Sequence, residues 1–433
     1  MLRYWATDLS TPSTRTLYSD IVTLSEDVVQ IAFRDESLEI NTYYNNIYGY
    51  RINVDGCWRI VSSNRYDKNL VDKLKHLVLS GTTESCGDLA DAHLYKGYIE
   101  IGKEFPSVED VSKIVKDQCQ EIKGYNANRC EALVTMRTVN RTIERNEGDV
   151  AQELKRVVEV EIGLVGKTVY GSTSFASHFG SLIAYDQKNV MKFIESMFRI
   201  ATDKITVAGR LKPIKPYLYG RATVILDYVA SAALFHEISH LLDASYIYGQ
   251  KILGYRLFPE YVEVYDEPMY IESPTLRLFD DEGVAAKKRL LIENGRVVDL
   301  HHTRTTAAIL NSEPGSAYGL FHRPVPYHTT LVIRPGDWKF DEMVEDTRRG
   351  FYVGGVVMAT LEEGTIRLIP EYGYLIEDGE LREAVKIREL RLSINMLKTL
   401  NAVARDIRIR TSYEKTWLVA EAAPTIRLEA YVM

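Results

Sequence analysis

Turn signatures cut the second half of this 433-residue chain into short pieces. Asp281-Glu282-Gly283, Glu293-Asn294-Gly295, Arg334-Pro335-Gly336-Asp337 and Glu377-Asp378-Gly379 combine residue types that tolerate tight or left-handed backbone. The stretches between them are β-like and too short for long helices. The first half shows the same β-rich texture at Val28 to Arg34, Leu38 to Tyr43 and Tyr48 to Val54. Asp55-Gly56 predicts a hairpin over residues 48–61. Helical spacing appears at Leu70, Val71, Leu74, Leu77 and Val78, after Ser107, and from about Gln187 to Ile200, continuing towards Ala208. Three antiparallel strands are expected between Ala132 and Val169, interrupted by a turn at Asn146 to Asp149. Strand runs with a few helices, without regular alternation, predict an α+β fold. Arg210 to Tyr217, with two prolines and no amphipathic period, reads as a linker. It divides the chain into residues 1–209, an antiparallel sheet with helices, and residues 210–433, a mostly antiparallel β domain. One late helix is expected over about Leu381 to Asn401, bent at the β-like Arg391 to Ile394.

Composition excludes several classes. The formal charge of -7 gives no basic footprint for nucleic acid. No run of eighteen apolar residues exists, and the N-terminus lacks a signal-peptide h-region, so the expectation is a cytoplasmic protein without a membrane partner. The four cysteines, Cys57, Cys86, Cys119 and Cys130, follow neither C-x-x-C nor a regular disulfide framework. Reduced thiols or buried small hydrophobes are the expectation, with a Cys119–Cys130 bridge as the alternative.

An apolar strand at Ala222 to Tyr228 leads into a predicted helix over about Ser231 to Ser245. This helix carries His236-Glu237-Ile238-Ser239-His240. Residues i and i+4 share a helix face, so both imidazoles can reach one metal ion, with Glu237 beside it where a water-activating base is needed. A chance match to H-E-x-x-H is expected about 0.01 times in a chain with so few histidines. The competing reading is an amphipathic helix with two satisfied histidines. Asp243, one turn further on, is a candidate to orient a ligand imidazole, or else a solvated helix end. His322 and Tyr327 are candidates to stabilise an oxyanion. Adjacent strand residues point to opposite faces, so His301 and His302 do not form a metal pair, and one of them is read as exposed. Asp280 to Gly283 reads as an acidic turn, solvent-facing or structural. The tyrosines after the motif, from Tyr246 to Tyr270, are read as packing, with a peptide groove as the alternative.

Four ordered segments carry a family resemblance. They are Ser37 to Ile40 with Gly49 to Gly56; Val224 to Asp227 running into Leu234-Phe235-His236-Glu237; Phe279-Asp280-Asp281-Glu282-Gly283 with Leu291 to Gly295; and Pro335-Gly336-Asp337 with Asp346 to Val353. Gly373 to Gly379 extends the series. Together they resemble the TldD/PmbA, or "modulator of DNA gyrase", family of zinc peptidases. That resemblance implies a two-domain α+β protein that cleaves short or unfolded peptides. It further implies a dimer, either of identical chains or with a metal-free family paralogue. His236 and His240 become zinc ligands and Glu237 the general base.

Two departures accompany the match. The family pattern has one more residue between the histidines. Its further ligand is a cysteine near the C-terminus, whereas no cysteine follows Cys130. Rough alignment puts that position near Thr411 to Glu414, so Glu414 is the first candidate for the third ligand and Glu421 the second. Glu260 or Glu263 would be the solution of an ordinary zincin. The leading expectation is a zinc-dependent peptidase that takes its peptide substrate as an added β-strand. The alternative is a non-catalytic peptide-binding or partner subunit.

Overall fold

The long alternating stretches of the first half become long strands. The computed structural model describes residues 17–54, 57–67, 69–70, 73–74, 87–123, 127–145, 148–246 and 251–433. β1 (Leu17–Arg34) and β2 (Ser37–Val54) pair antiparallel over their whole length, from Leu17↔Val54 to Arg34↔Ser37. The sequence broke β2 in two because the stretch around Tyr44 to Asn46 is exposed and lacks an apolar face. The backbone partners offered by β1 carry the strand through that gap. β3 (Cys57–Ser63) closes the expected hairpin with Tyr48↔Ser63, although its Asp55-Gly56 turn lies outside the described residues. Most of the expected 70–81 helix and part of the 146–149 turn also lie outside them.

β4 (Gly97–Ile101), α1 (Val108–Ile122), β5 (Ala127–Arg145), β6 (Val150–Lys167), β7 (Thr173–Ile183) and α2 (Gln187–Ala208) complete this half. The sheet order is β3-β2-β1-β5-β6-β4, with β7 also on β6. Only β4 runs parallel to its neighbour. α1 and α2 bury Val115, Ile194 and Phe198 against Ile31, Val134 and Val160 of the sheet. Ser107 caps α1 by accepting the Asp110 N–H, as its position before the apolar period predicts. Cys119 of α1 and Cys130 of β5 form a disulfide with Cα atoms 5.5 Å apart, and Cys57 is also disulfide-bonded. The expectation of reduced thiols is thereby corrected. Spacing along the chain did not reveal that α1 folds back onto the start of β5.

The second half is organised by a sheet of fourteen strands among the described residues. The expected linker is tied into it: Lys212–Pro213 pairs parallel with Val385 and Lys386, and Pro216–Leu218 is a 3₁₀ turn. β8 (Gly220–Leu226) leads into α3 (Tyr228–Ser239). Further along come β9 (Thr330–Ile333), β10 (Arg349–Gly354), β11 (Ala402–Glu414) and β12 (Trp417–Val432). β12 is the spine. It pairs antiparallel with β8 and β11 and parallel with β9. The late helix is overturned: Glu380–Lys386 and Leu390–Ser393 are strands, followed by a 3₁₀ helix at Ile394–Thr399. Leu390 and Leu392 are fully buried while Arg391 between them is exposed, so period-two burial wins over helix propensity.

Two clusters join the halves. Arg51 grips Asp20 through Nε and Nη2, at 2.7 and 2.6 Å, and sends Nη1 to the Asp281 carbonyl at 2.7 Å. Arg141 reaches the Asp281 carboxylate and the Phe279 carbonyl. The acidic turn is therefore buried and structural: Asp280 accepts the backbone N–H groups of Glu282, Val284 and Ala317. Among the described residues no helix is long and apolar enough to cross a membrane.

The Asn294-Gly295 turn behaves as its sequence predicts, with φ of 49° and 71° joining Arg289–Glu293 to Arg296–Val297. A Cβ on Gly295 would lie 2.1 Å from the Phe258 carbonyl oxygen, which is backbone and cannot swing away. Gly295→Ala is expected to cost about 2–3 kcal/mol, from positive φ and this overlap together, in chemical denaturation.

Candidate metal centre

The first turns of α3 are dominated by apolar and small residues, and Ala230, Ser231, Ala232 and Ala233 let it bury inside the larger sheet's core. Its start is fixed by Asp227, which accepts the N–H of Ala230 at 2.7 Å and that of Gly355 at 3.0 Å. The helix is shorter than expected. It ends at Ser239, and His240–Leu242 form a 3₁₀ turn, so the two histidines straddle the change of winding.

His236, His240 and Glu414 bring one donor atom each within 4.8 Å of one another. Glu414 comes from the last position of β11, directly opposite Trp417. Its Oε2 lies 3.6 Å from His236 Nε2. The Tyr327 hydroxyl completes the group, 3.1 Å from His236 Nε2 and 3.4 Å from His240 Nε2. Ligands about 2.0–2.2 Å from a tetrahedral ion stand about 3.3–3.6 Å apart, so the His236–Glu414 separation suits one ion. Two imidazoles and a carboxylate are an ordinary donor set for zinc.

The other face of His236 sets its tautomer. Nδ1 donates to Glu421 Oε1 at 2.7 Å, which turns Nε2 towards His240 and Glu414. Glu421 lies on β12, is fully buried, and takes Arg410 on its second oxygen at 2.8 Å. His328 Nε2 also reaches Oε1, at 3.2 Å. Burial opposes charging of His236, but the Glu421 charge and hydrogen bonds to Glu414 and Glu421 outweigh it and push the imidazole up to about 9. Burial and the neighbouring His236 charge push His240 the other way, down to about 4. Burial raises the Glu237 carboxyl, against the lowering pull of His236 and the Leu361 N–H, so it can hold a proton more readily than an exposed glutamate.

Of the remaining candidates, Asp243 is buried but turned onto Ser245, accepting its N–H and hydroxyl at 2.7 Å each. It does not touch either motif histidine. His322 is exposed, 5.5 Å from the Trp417 ring, and its Nδ1 meets the Arg323 carbonyl at 2.8 Å. Tyr327, its competitor for the oxyanion role, is the residue that reaches the histidines. Glu260 and Glu263 pair with Arg256 and Arg334, outside the centre. His301 and His302 are both buried, which corrects the reading of one as exposed. His301 bridges to Asp243 within the fold, and His302 lies 3.3 Å from Thr306. His328 was missed altogether. Nothing in Pro326-Tyr327-His328 signals that it meets a carboxylate 93 residues away.

Residues 219–432 match the model of the PmbA/TldA metallopeptidase C-terminal domain. A metalloprotease of Methanocaldococcus jannaschii is 31% identical over 234 residues, covering 51% of this chain and 52% of that protein. A metalloprotease of Archaeoglobus fulgidus is 26% identical, covering 82% and 83%. The chain belongs to the TldD/PmbA family. Its alignments to the M. jannaschii protein and to a Methanothermobacter thermautotrophicus metalloprotease span about half of those relatives' length (52% and 47%). The fold is shared across 96% of both chains with the Thermotoga maritima protein described as a modulator of a DNA gyrase, at 17% identity and a TM-score of 0.79. It is shared equally widely with TldE from Thermococcus kodakarensis, at 15% identity and a TM-score of 0.75. No cysteine follows Cys130, and of the stretch Thr411 to Glu414, where the resemblance places a cysteine ligand, it is Glu414 that stands beside His236.

The Glu421–His236 pair has a defined pH window in chelator-treated protein. Glu421 is held well below its ordinary 4.5, so its contribution is present above that value and is lost as pH falls. His236 is raised from 6.5 to about 9, so its contribution is full below 6.5 and is lost as pH rises through 9. Glu421→Gln is expected to cost about 3 kcal/mol between pH 5 and 6.5, with the deficit shrinking towards pH 9, in denaturant titrations against wild type.

Proposed function

We propose that this chain is a zinc-dependent peptidase of the TldD type, acting on extended peptides, with its domain division at residues 209/210. The observation that carries the reading is the convergence of His236, His240 and Glu414, with Glu237 near enough to feel the charges of His236 and Glu414. His236, His240 and Glu414 would hold the ion, which supplies a Lewis acid that polarises the scissile carbonyl and acidifies a water molecule. Glu237 takes a proton from the attacking water and returns it to the leaving amine nitrogen as the C–N bond breaks. Glu421 keeps the proton of His236 on Nδ1, and Arg410 keeps Glu421 ionised. The Tyr327 hydroxyl donates to the oxyanion that develops on the former carbonyl.

The route for substrate is suggested by two open sheet edges. Among the described residues β7 pairs only with β6, and β11, bridged to Trp338 at its start, has no strand partner other than β12 along 407–414. Between these edges lies a cavity of about 790 Å³, bounded by Ser177 to Leu182 of β7 and Ile409 to Tyr413 of β11. A peptide adding to β11 by backbone hydrogen bonds would run towards Glu414 at that strand's end, with little dependence on side-chain identity. By analogy with the family we read the working unit as a dimer, of identical chains or with a metal-free TldE-type partner.

The non-catalytic alternative has one distinguishing outcome. Glu237→Gln is expected to keep one zinc per chain by metal analysis while lowering turnover of an unfolded peptide at least about a thousandfold. Unchanged turnover would sink the mechanism. Wild-type protein that binds peptide without cleaving it, alone or with a TldE-type partner, would favour the scaffold reading. Tyr327→Phe should lower kcat by about a hundredfold with KM little changed, the signature of a contact made in the transition state.

A further inference from the structure

A second cavity, of about 500 Å³, is bounded on one side by the β11–β12 turn. Its walls come from the first sheet, from the 274–281 segment and from Lys415 to Leu418. It is rich in charge, and most of that charge is internally matched. Arg137 meets Glu26 at 3.1 Å and Glu159 at 3.3 Å. Arg141 pairs with Asp281 and lies 3.7 Å from Glu153, whose other oxygen is 3.3 Å from Lys155.

Two cations are not fully matched. Lys415 makes no ion pair among the described residues and holds its ammonium 5.6 Å from the Trp417 ring centroid. Arg277 has a side chain only 5% exposed. Its Nη1 donates weakly to the Ala317 carbonyl at 3.4 Å and stands 3.9 Å from Asp281. Its guanidinium stacks on Tyr318, 4.0 Å from the ring centroid. Nε and Nη2 are buried and have no hydrogen-bond partner among the described residues. Those two N–H groups form the parallel fork that holds a carboxylate side-on, the arrangement Arg51 makes with Asp20 in this same chain.

The nearby acids do not fill that fork. Asp280 is occupied by three backbone N–H groups, and Asp266 accepts those of Thr329 and Thr330. A buried guanidinium edge without a partner carries its full desolvation penalty, which an incoming anion would relieve. The cavity is also one side-chain layer from the metal centre: Tyr318 packs in one cluster with Tyr327 and Trp417. Tyr327 touches both histidines, and Trp417 is the register partner of Glu414.

We propose that this cavity binds a carboxylate of the substrate peptide on the Arg277 fork, with Lys415 as the second cation. The carboxylate is either the peptide's C-terminus or an acidic side chain close to the cleaved bond. The proposal rests on the peptidase reading for its substrate class, and its test is a binding measurement that needs no turnover.

Zinc-loaded Glu237→Gln protein is titrated with a fluorescent peptide lacking acidic side chains, as free acid and as C-terminal amide, and with an amidated peptide carrying one glutamate. The free acid, the glutamate peptide or both should bind at least about tenfold tighter than the plain amide, and which of them does so identifies the source of the carboxylate. That preference should collapse to about twofold or less in Arg277→Met and weaken in Lys415→Gln. Lys415 sits at an exposed turn, so its variant carries the test if Arg277→Met does not fold. Equal binding of all three peptides, or a preference unchanged in both variants, overturns the proposal. Failure of the wild-type protein to cleave any of them would count against the peptidase reading alone, since the binding preference is measured separately.

Discussion

A single buried carboxylate fixes the geometry of the candidate metal centre. Glu421 sits on the strand that pairs with β8, β9 and β11, and so has no freedom of its own. A charge this deep survives only because it is shared among Arg410, His236 and His328. Its hydrogen bond to His236 fixes which ring nitrogen carries the proton, and therefore which nitrogen faces Glu414 and Tyr327. Removing the carboxylate would leave the motif residues in the sequence while releasing the ring that makes them a site.

The helix geometry works towards the same end. Asp227 anchors the start of α3 to its own first turn and to Gly355 next to β10. The far end tightens from α to 3₁₀ between the histidines. Direction of the helix is thus set at both ends, and between them the bond from His236 to Glu421 fixes its rotation.

Local pattern made part of this legible. The α+β class, the Ser107 cap, the Gln187–Ala208 helix and the Asn294-Gly295 turn follow from short-range residue preferences that the tertiary structure leaves intact. H-E-x-x-H marked the centre for the same reason: its two rings lie on one helical turn. Glu414 was reachable only through rough alignment to the family's C-terminal cysteine, because its proximity arises from β11–β12 pairing. His328 was not reachable, since it depends on β9 running parallel to β12 beside Glu421. The errors share a cause. Leu381 to Asn401 carries helix-forming residues, yet sheet partners far along the chain decide its state. The paired cysteines likewise depend on a packing of α1 against β5 that spacing does not show.

The β11–β12 turn has a further consequence through Tyr413. This residue hydrogen-bonds Glu159 and packs against Phe179, both in the first sheet, while its neighbour Glu414 faces the histidines of the second. One donor of the centre is therefore held from outside the half that carries the motif. Residues 219–432 contain all the donor side chains, but the wall that sets the position of Glu414 is built by residues 127–183. A fragment cut at the boundary between the sheets would keep the site's chemistry and lose its alignment.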